Sequence, residues 1–458
     1  MNQQSSKTSP LASPAHLPRV VGLAFGIAVI IGGTVGAGIL RTPGIVANYL
    51  GRPDLILFAW LLVGGLAALG ANCYAELATA MPIAGGSFVY VRRCCGGFAG
   101  FAAGWSEWFI QVCALAYISV AFGEYVSGLF PAIDGHEKFL AIATLASLTA
   151  LNWLGMRVGA VFQEWMSAAK LLALLGVIVA CLIAGNPSGS LAVNGYSPAA
   201  TTPLAIAAAM LLSIRTITET YAGWNGIVFF SEDQQEPSKN IPRSLFWGVL
   251  SVVVLYVLVN IALLRTLPMS VLAASKLPIA DAAQLVFGGL SSRIVTVISI
   301  ISLLGILNVA VMGAPRILVG LGRYGLMVAS AGRLNHAGVP GVAMVVTSGA
   351  AAILVSANSF ETLFGIAGFL GIAFDVAVYV SFFRLRRTEP ELLRPYRARG
   401  YPILPGIALA VSCCFFLGLV IDDPKTSVFT IALLAASYPL YAKLRRPPEH
   451  VRELRDKE

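Results

Sequence analysis

Hydrophobic positions along the chain gather into runs of bilayer-spanning length, separated by short polar connections. Twelve such runs lie at about 20–50, 54–80, 96–130, 138–156, 158–185, 203–236, 241–265, 288–325, 339–357, 360–387, 402–421 and 425–442. Each is long enough for roughly 30 Å of hydrocarbon at about 1.5 Å per residue, so the pattern predicts an all-α polytopic membrane protein with twelve transmembrane helices. Two of the runs are interrupted. In Ile31-Gly32-Gly33-Thr34-Val35-Gly36-Ala37-Gly38-Ile39-Leu40, four glycines fall within seven residues. Glycine costs about 1 kcal/mol per site in a helix interior, and this density predicts a helix that opens mid-membrane. Open backbone survives in lipid only where it lines a cavity or is covered by protein, and the N–H groups freed there can hold an anion. Close helix packing through small residues explains the same glycines equally well when the stretch is taken alone.

The second interruption, Ile217-Thr218-Glu219-Thr220-Tyr221-Ala222-Gly223-Trp224-Asn225-Gly226, sits between an apolar run from Leu204 and a shorter one ending in Ser231-Glu232-Asp233. The breaks fall in the first and sixth runs, at corresponding places in two five-helix halves, which points to an inverted-repeat transporter. Five is odd, so the second half enters the membrane from the opposite side. The expected division is 1–19 as a disordered cytoplasmic tail, 20–185 as the first repeat and 203–387 as the second. Helices within 402–442 are accessory, and 443–458 is a second cytoplasmic tail. Met81–Tyr90 reads as a re-entrant or interfacial segment, and Gly185–Pro203 as an extracellular loop.

Composition agrees with a membrane protein: 57% of residues are hydrophobic, 12% are charged, and mean hydropathy is +0.80. The net charge of +9 is spread over the connections rather than gathered in a patch, so it speaks for topology and not for a nucleic-acid partner. Placing both termini inside puts 22 of the 31 basic residues in the cytoplasm and 6 outside. This predicts a plasma (inner) membrane protein with cytoplasmic termini. Arg41, Lys170 and Arg215 are left at membrane depth. Residues 1–19 lack the apolar core of a cleavable signal peptide. The seven cysteines show no paired metal-ligand spacing and read as apolar fillers, so no metal or cofactor is expected.

Motifs in chain order resemble the amino acid–polyamine–organocation (APC) superfamily, most closely its L-type amino-acid transporter-like branch. Gly36-Ala37-Gly38-Ile39-Leu40 is similar to that family's helix 1 break, Cys73-Tyr74-Ala75-Glu76-Leu77 to the end of helix 2, and Gly85-Gly86-Ser87 to the turn after it. Ala168–Leu174 resembles helix 5, and Tyr221-Ala222-Gly223-Trp224-Asn225 resembles helix 6, followed by Ser231-Glu232 and Glu236-Pro237-Ser238-Lys239-Asn240-Ile241-Pro242-Arg243. Gly305-Ile306-Leu307-Asn308 with Pro315-Arg316 fits helix 8. Arg394-Pro395-Tyr396-Arg397 with Gly400-Tyr401-Pro402 resembles the loop before helix 11. The resemblance implies a LeuT-like 5+5 inverted repeat and amino-acid transport by alternating access without sodium, as exchange or proton symport. It also implies a substrate carboxylate on the backbone N–H groups of Gly36, Ala37 and Gly38, and an ammonium on the carbonyls of Thr34, Glu219 and Ala222. Gly223 belongs to the same turn. Helix dipoles orient a zwitterion in the same sense.

A lysine inside an apolar helix costs several kcal/mol unless it finds water or a partner. In relatives, a lysine at the place of Lys170 replaces a sodium ion and braces helix 5 against helices 1 and 8. The partners expected here are the backbone near Ile30 and the Ser302 hydroxyl, with snorkelling as the alternative. Glu219 stands where the family usually has an aromatic gate. Three readings apply to it: an i,i+4 ion pair with Arg215, a site for a cationic side chain or a proton, or a partner for Arg41, which itself could contact an acidic substrate. The gate would then move to Tyr221, with Trp224 as packing. Asp375 is a candidate proton carrier, while Asn152, Asn260 and Asn308 read as interhelical glue. The runner-up function is a cationic amino-acid or polyamine exchanger, and a non-transporting amino-acid sensor of the same fold is the reading from another class. With no H-E-x-x-H, no G-x-S-x-G and no histidine convincingly inside a run, an enzyme is not expected. The partners expected are an amino acid, the bilayer and protons as coupling ion; the oligomeric state stays open.

Overall fold

The computed structural model describes residues 17–184, 202–357 and 360–444. Most of the two tails and of the 185–203 loop therefore lies outside the described residues. Within them every long element is a helix. The first expected span is two helices, α1 (Leu23–Thr34) and α2 (Ala37–Leu50), bent by 50° at the glycine-rich break. There follow α3 (Pro53–Ala80), α4 (Phe88–Cys95), α5 (Gly97–Leu129), α6 (Glu137–Trp153) and α7 (Met156–Ala184). Next come α8 (Pro203–Thr220), a 3-10 segment Gly226–Phe230, and α9 (Pro237–Thr266). After the short α10 (Met269–Ala274) and α11 (Pro278–Phe287) run α12 (Ser291–Arg323), α13 (Gly341–Ser356) and α14 (Phe360–Thr388). The last described helices are α15 (Ile403–Asp422), α16 (Pro424–Ala436) and α17 (Tyr438–Leu444).

Local chemistry sets the ends. Proline opens α3, α8, α9 and α16, where its missing N–H is no loss. Thr202 caps α8 by accepting from the Ala205 N–H at 3.2 Å, and Asp423 caps α16 by accepting from Thr426 at 3.0 Å. Among the described residues, eight helices are long and apolar enough to cross a bilayer, nine if the bent α1–α2 pair counts as one span, and Gly341–Ser356 is apolar but shorter. The protein is thus an all-helical polytopic membrane protein. Helices α10 and α11, on the connection between α9 and α12, are absent from the sequence expectation. Their lengths of 6 and 10 residues are too short to register as spans.

Packing places both breaks at the centre. Helix α9 lies along α1 and α3, α7 along α1 and α12, and α2 along α8, while α5 is held by α6, α12 and α14. The apolar core runs through all of these, with Trp60, Tyr74, Tyr90, Tyr256 and Phe382 fully enclosed.

Candidate functional site

Helix α1 stops at Thr34 because Val35 turns to an extended ψ of 101° and Gly36 follows at φ −139°, ψ −153°. The last carbonyls of a helix and the first N–H groups of the next have no partner of their own. At this break the carbonyls are met from outside. The Lys170 ammonium on α7 donates to the carbonyls of Gly32, at 2.9 Å, and Val35, at 2.5 Å. The Tyr256 hydroxyl on α9 lies 3.0 Å from the Thr34 carbonyl. Across the break, the first N–H groups of α2 form an electropositive helix end with no side-chain cap.

The second break answers the first. Helix α8 closes at Thr220, Tyr221 N–H turns back to the carbonyls of Ile217 and Thr218, and Ala222 N–H donates to Glu219 at 3.2 Å. Gly223 then adopts φ +101°, a conformation side chains resist. A Cβ on Gly223 would lie 2.5 Å from the Gly33 carbonyl oxygen, so the two interruptions touch backbone to backbone. The Tyr256 hydroxyl is also 3.0 Å from the Thr220 carbonyl, and the hydroxyls of Thr42 and Thr220 meet at 2.7 Å. Thr34 and the Glu219–Gly223 turn are therefore neighbours.

Several expected contacts are placed differently. Lys170 is fully buried, so it does not snorkel, and its partners are Gly32 and Val35 rather than Ile30 and Ser302. Ile30 lies one turn inside α1, where the helical ladder already uses its carbonyl; opening the helix frees carbonyls only at its end. Arg215 does not pair with Glu219: it reaches Asp422 at the end of α15, at 2.7 Å. Neither Arg215, Arg41 nor any other described residue forms an ion pair with Glu219, and Glu219 and Arg41 are both exposed. Tyr221 is no free gate, being 2% exposed in a box with Trp60 and Tyr256 at ring separations of 6.1 and 4.9 Å. Trp224 packs on Tyr74 at 5.0 Å, and the Tyr74 hydroxyl donates to Asp375 at 3.0 Å. Asn152 and Asn308 join α6 to α12 at 2.8 Å, whereas the Asn260 amide donates within its own helix, to the Tyr256 carbonyl.

Sequence reading passed over Tyr256, and also Gln163 and Ser167, which extend the Asn308 contact to the Ala28 carbonyl of α1. It likewise gave no roles to a polar cluster beyond the 3-10 segment. There Asp233 takes a two-pronged bond from Arg316 of α12, at 2.8 and 2.9 Å. Glu232 accepts from Arg323 at 2.6 Å and from the N–H groups of Leu17 and Ala84 at 2.8 and 2.7 Å. Glu76 pairs with Arg386 and Arg394 and straps α3 to α14. The adjacent Ser231-Glu232-Asp233 triplet and the Pro315-Arg316 pair were the signals for this cluster.

Comparison with known proteins identifies the family. A family model described as amino acid permease matches residues 24–439. The chain is 27% identical to the serine/threonine exchanger SteT of Bacillus subtilis (strain 168), covering 94% of this chain and 98% of that protein. It is 28% identical to the human Asc-type amino acid transporter 1 over 93% of this chain and 82% of the relative. Against the human large neutral amino acids transporter small subunit 2 it is 26% identical, over 93% and 80%. These relatives are transporters and exchangers, not enzymes. Two touching helix breaks in an all-helical membrane protein and a family match over nearly its whole length lead to one conclusion: the chain belongs to the amino acid permease family of the APC superfamily.

Proposed function

We propose that this protein is a secondary transporter exchanging amino acids across the plasma (inner) membrane by alternating access, without sodium. In this reading the α1–α2 pair, α3, α5, α6 and α7 form the first repeat, within 20–185. Helix α8 with its 3-10 continuation, α9, α12, α13 and α14 form the second, within 203–387, and α15 to α17 complete twelve crossings. Both termini are cytoplasmic. The carrying observation is the contact of Gly33 with Gly223, which puts two electronegative helix ends beside the electropositive start of α2. A zwitterion is recognised there with its carboxylate on the N–H groups of Gly36, Ala37 and Gly38, and its ammonium near Thr34 and the Glu219–Ala222 turn. Lys170, with its ammonium fixed on two carbonyls of the break, stands where a bound cation would, which supports sodium independence.

The test is counterflow in proteoliposomes with a panel of twenty labelled amino acids at two pH values. Accumulation driven by internal unlabelled substrate supports exchange, and equal accumulation without internal substrate under an imposed proton gradient supports symport. Binding without flux overturns transport in favour of a sensor.

A second reading concerns the cargo. The named relatives include a serine/threonine exchanger and a large neutral amino acids transporter, yet Arg215 is engaged by Asp422 and leaves the Glu219 carboxylate without an ion pair among the described residues. Such a carboxylate favours a substrate with a cationic side chain. Glu219→Gln should then lower the ratio of lysine to serine counterflow by about tenfold, the scale of one charged hydrogen bond. Equal losses for both would assign Glu219 a structural role.

A further inference from the structure

The connection from α14 to α15 has no part in the transport site, yet it is held in one shape. Between 384 and 399 the chain carries six arginines, no lysine and two glutamates. Two of these arginines turn inward. Arg386 stacks over the Tyr401 ring at 4.2 Å, pairs with Glu76 of α3 and donates to the Ala398 carbonyl, which folds the connection back on α14. Arg394 reaches the same carboxylate at 3.1 Å and donates to the carbonyls of Leu385, Glu389 and Leu392. Asn72, one turn before Glu76, accepts from the Tyr396 hydroxyl at 2.7 Å and the Arg399 N–H at 3.0 Å, and its amide donates to the Arg399 carbonyl at 2.9 Å. The backbone is thus clamped to the end of α3. The other four arginines, Arg384, Arg387, Arg397 and Arg399, are exposed, and their guanidiniums make no ion pair or hydrogen bond among the described residues. Glu389 is engaged by Arg93, so within the connection exposed Glu391 alone opposes them. Leu393 is 79% exposed and Ile403 71% exposed, beside the ends of two apolar spans. Fixed cations next to bare apolar side chains at a membrane boundary complement the phosphate and the acyl chain of a lipid together, and the clamp has already met the cost of ordering them. We infer that this connection is a docking surface for anionic phospholipid, with headgroup phosphates on Arg384, Arg387, Arg397 and Arg399 and acyl chains against Leu393 and Ile403.

Lipid docking is independent of what the protein carries, so binding tests it and flux does not enter. The full-length protein in a neutral detergent is given equimolar phosphatidylglycerol and phosphatidylcholine, and bound lipids are resolved by native mass spectrometry. Wild type should hold its first phosphatidylglycerol over phosphatidylcholine by at least about tenfold, each arginine near an anionic headgroup being worth about fivefold. The triple variant Arg387→Gln, Arg397→Gln and Arg399→Gln should bring that preference to within about twofold of parity. A second triple, Arg157→Gln, Arg243→Gln and Arg333→Gln, removes three exposed arginines from other connections and should stay within about twofold of wild type. Inorganic phosphate in about a hundredfold excess should leave the lipid bound, since it offers nothing to Leu393 and Ile403. Should the first triple fold poorly, Arg397→Gln alone, at an exposed side chain, carries the test with a loss of about fivefold. An unchanged preference in the platform variants, an equal loss in both triples, or displacement by inorganic phosphate overturns the inference.

Discussion

On the transport reading, a primary ammonium buried at the end of a half-helix takes the place of a bound cation, donating to carbonyls that the break has stripped of their partners. Lys170 does this for Gly32 and Val35 while its own charge is kept from lipid. Removing it leaves two buried acceptors unsatisfied, at about 1–3 kcal/mol each, and opens a void beside Gly305, whose added Cβ would lie 3.4 Å from the lysine nitrogen. Lys170→Ala should therefore insert in the membrane at near-normal levels yet lose at least about tenfold of its exchange rate, since that cost falls on the geometry of the break. Initial-rate counterflow normalised to protein in the liposomes checks it, and wild-type flux would discard the bracing role. Lys170 was legible from sequence because a charge about a dozen residues from the nearest end of an apolar run is too deep to reach the interface easily. Its acceptors were not, because which carbonyls come free depends on the residue at which α1 stops.

At the scale of elements, the contact between breaks sets a sharp asymmetry between its two glycines. Gly223 has φ +101°, and a Cβ there meets the Gly33 carbonyl at 2.5 Å, backbone that cannot swing aside. Gly33 is helical, and its added Cβ would stand 3.4 Å from the Gly223 carbonyl. Gly223→Ala should thus abolish exchange or lower the melting temperature in detergent by several degrees, whereas Gly33→Ala should keep most activity, losing about threefold at most. Equal effects would mean that the breaks are not packed as they stand. Both breaks could be read from their glycines only once the two were seen at corresponding places in the two halves, since close helix packing explains the first set equally well. The path of the chain beyond the second break was not legible in this way. Gly226–Phe230 is apolar enough for an α-helix, but it winds as a 3-10 segment into the Asp233–Arg316 and Glu232–Arg323 pairs. Tyr256 was equally hidden, a tyrosine in an apolar run whose two acceptors lie 222 and 36 residues away in sequence.

For the whole molecule, the repeats, the gating and the direction of transport all depend on which end faces the cytoplasm. The ion-paired end is where it can be tested. Glu232, Asp233, Arg316 and Arg323 cluster there with the N-terminal segment at Leu17, and Glu76 binds Arg386 and Arg394 near the start of α15. Buried pairs of this kind are costly to break from one side, about 3–5 kcal/mol when a single partner is removed. On the alternating-access reading, a face closed by them opens when the charges part together, as in a rocking of α1 and the 3-10 segment against α12. In the orientation proposed above this end faces the cytoplasm, as the positive-inside bias of the connections around it leads one to expect. Cys95, exposed at the end of α4 next to Arg92 and Arg93, reports the side directly. In a Cys94→Ser background, a membrane-impermeant maleimide should label Cys95 in inside-out vesicles and spare it in right-side-out ones. Cys414, exposed on α15 but midway along an apolar span, should stay unlabelled because lipid disfavours the reactive thiolate. Labelling of Cys95 from the outer side, lost on Cys95→Ser, would invert the molecule and with it the face on which the ion pairs close the transport path.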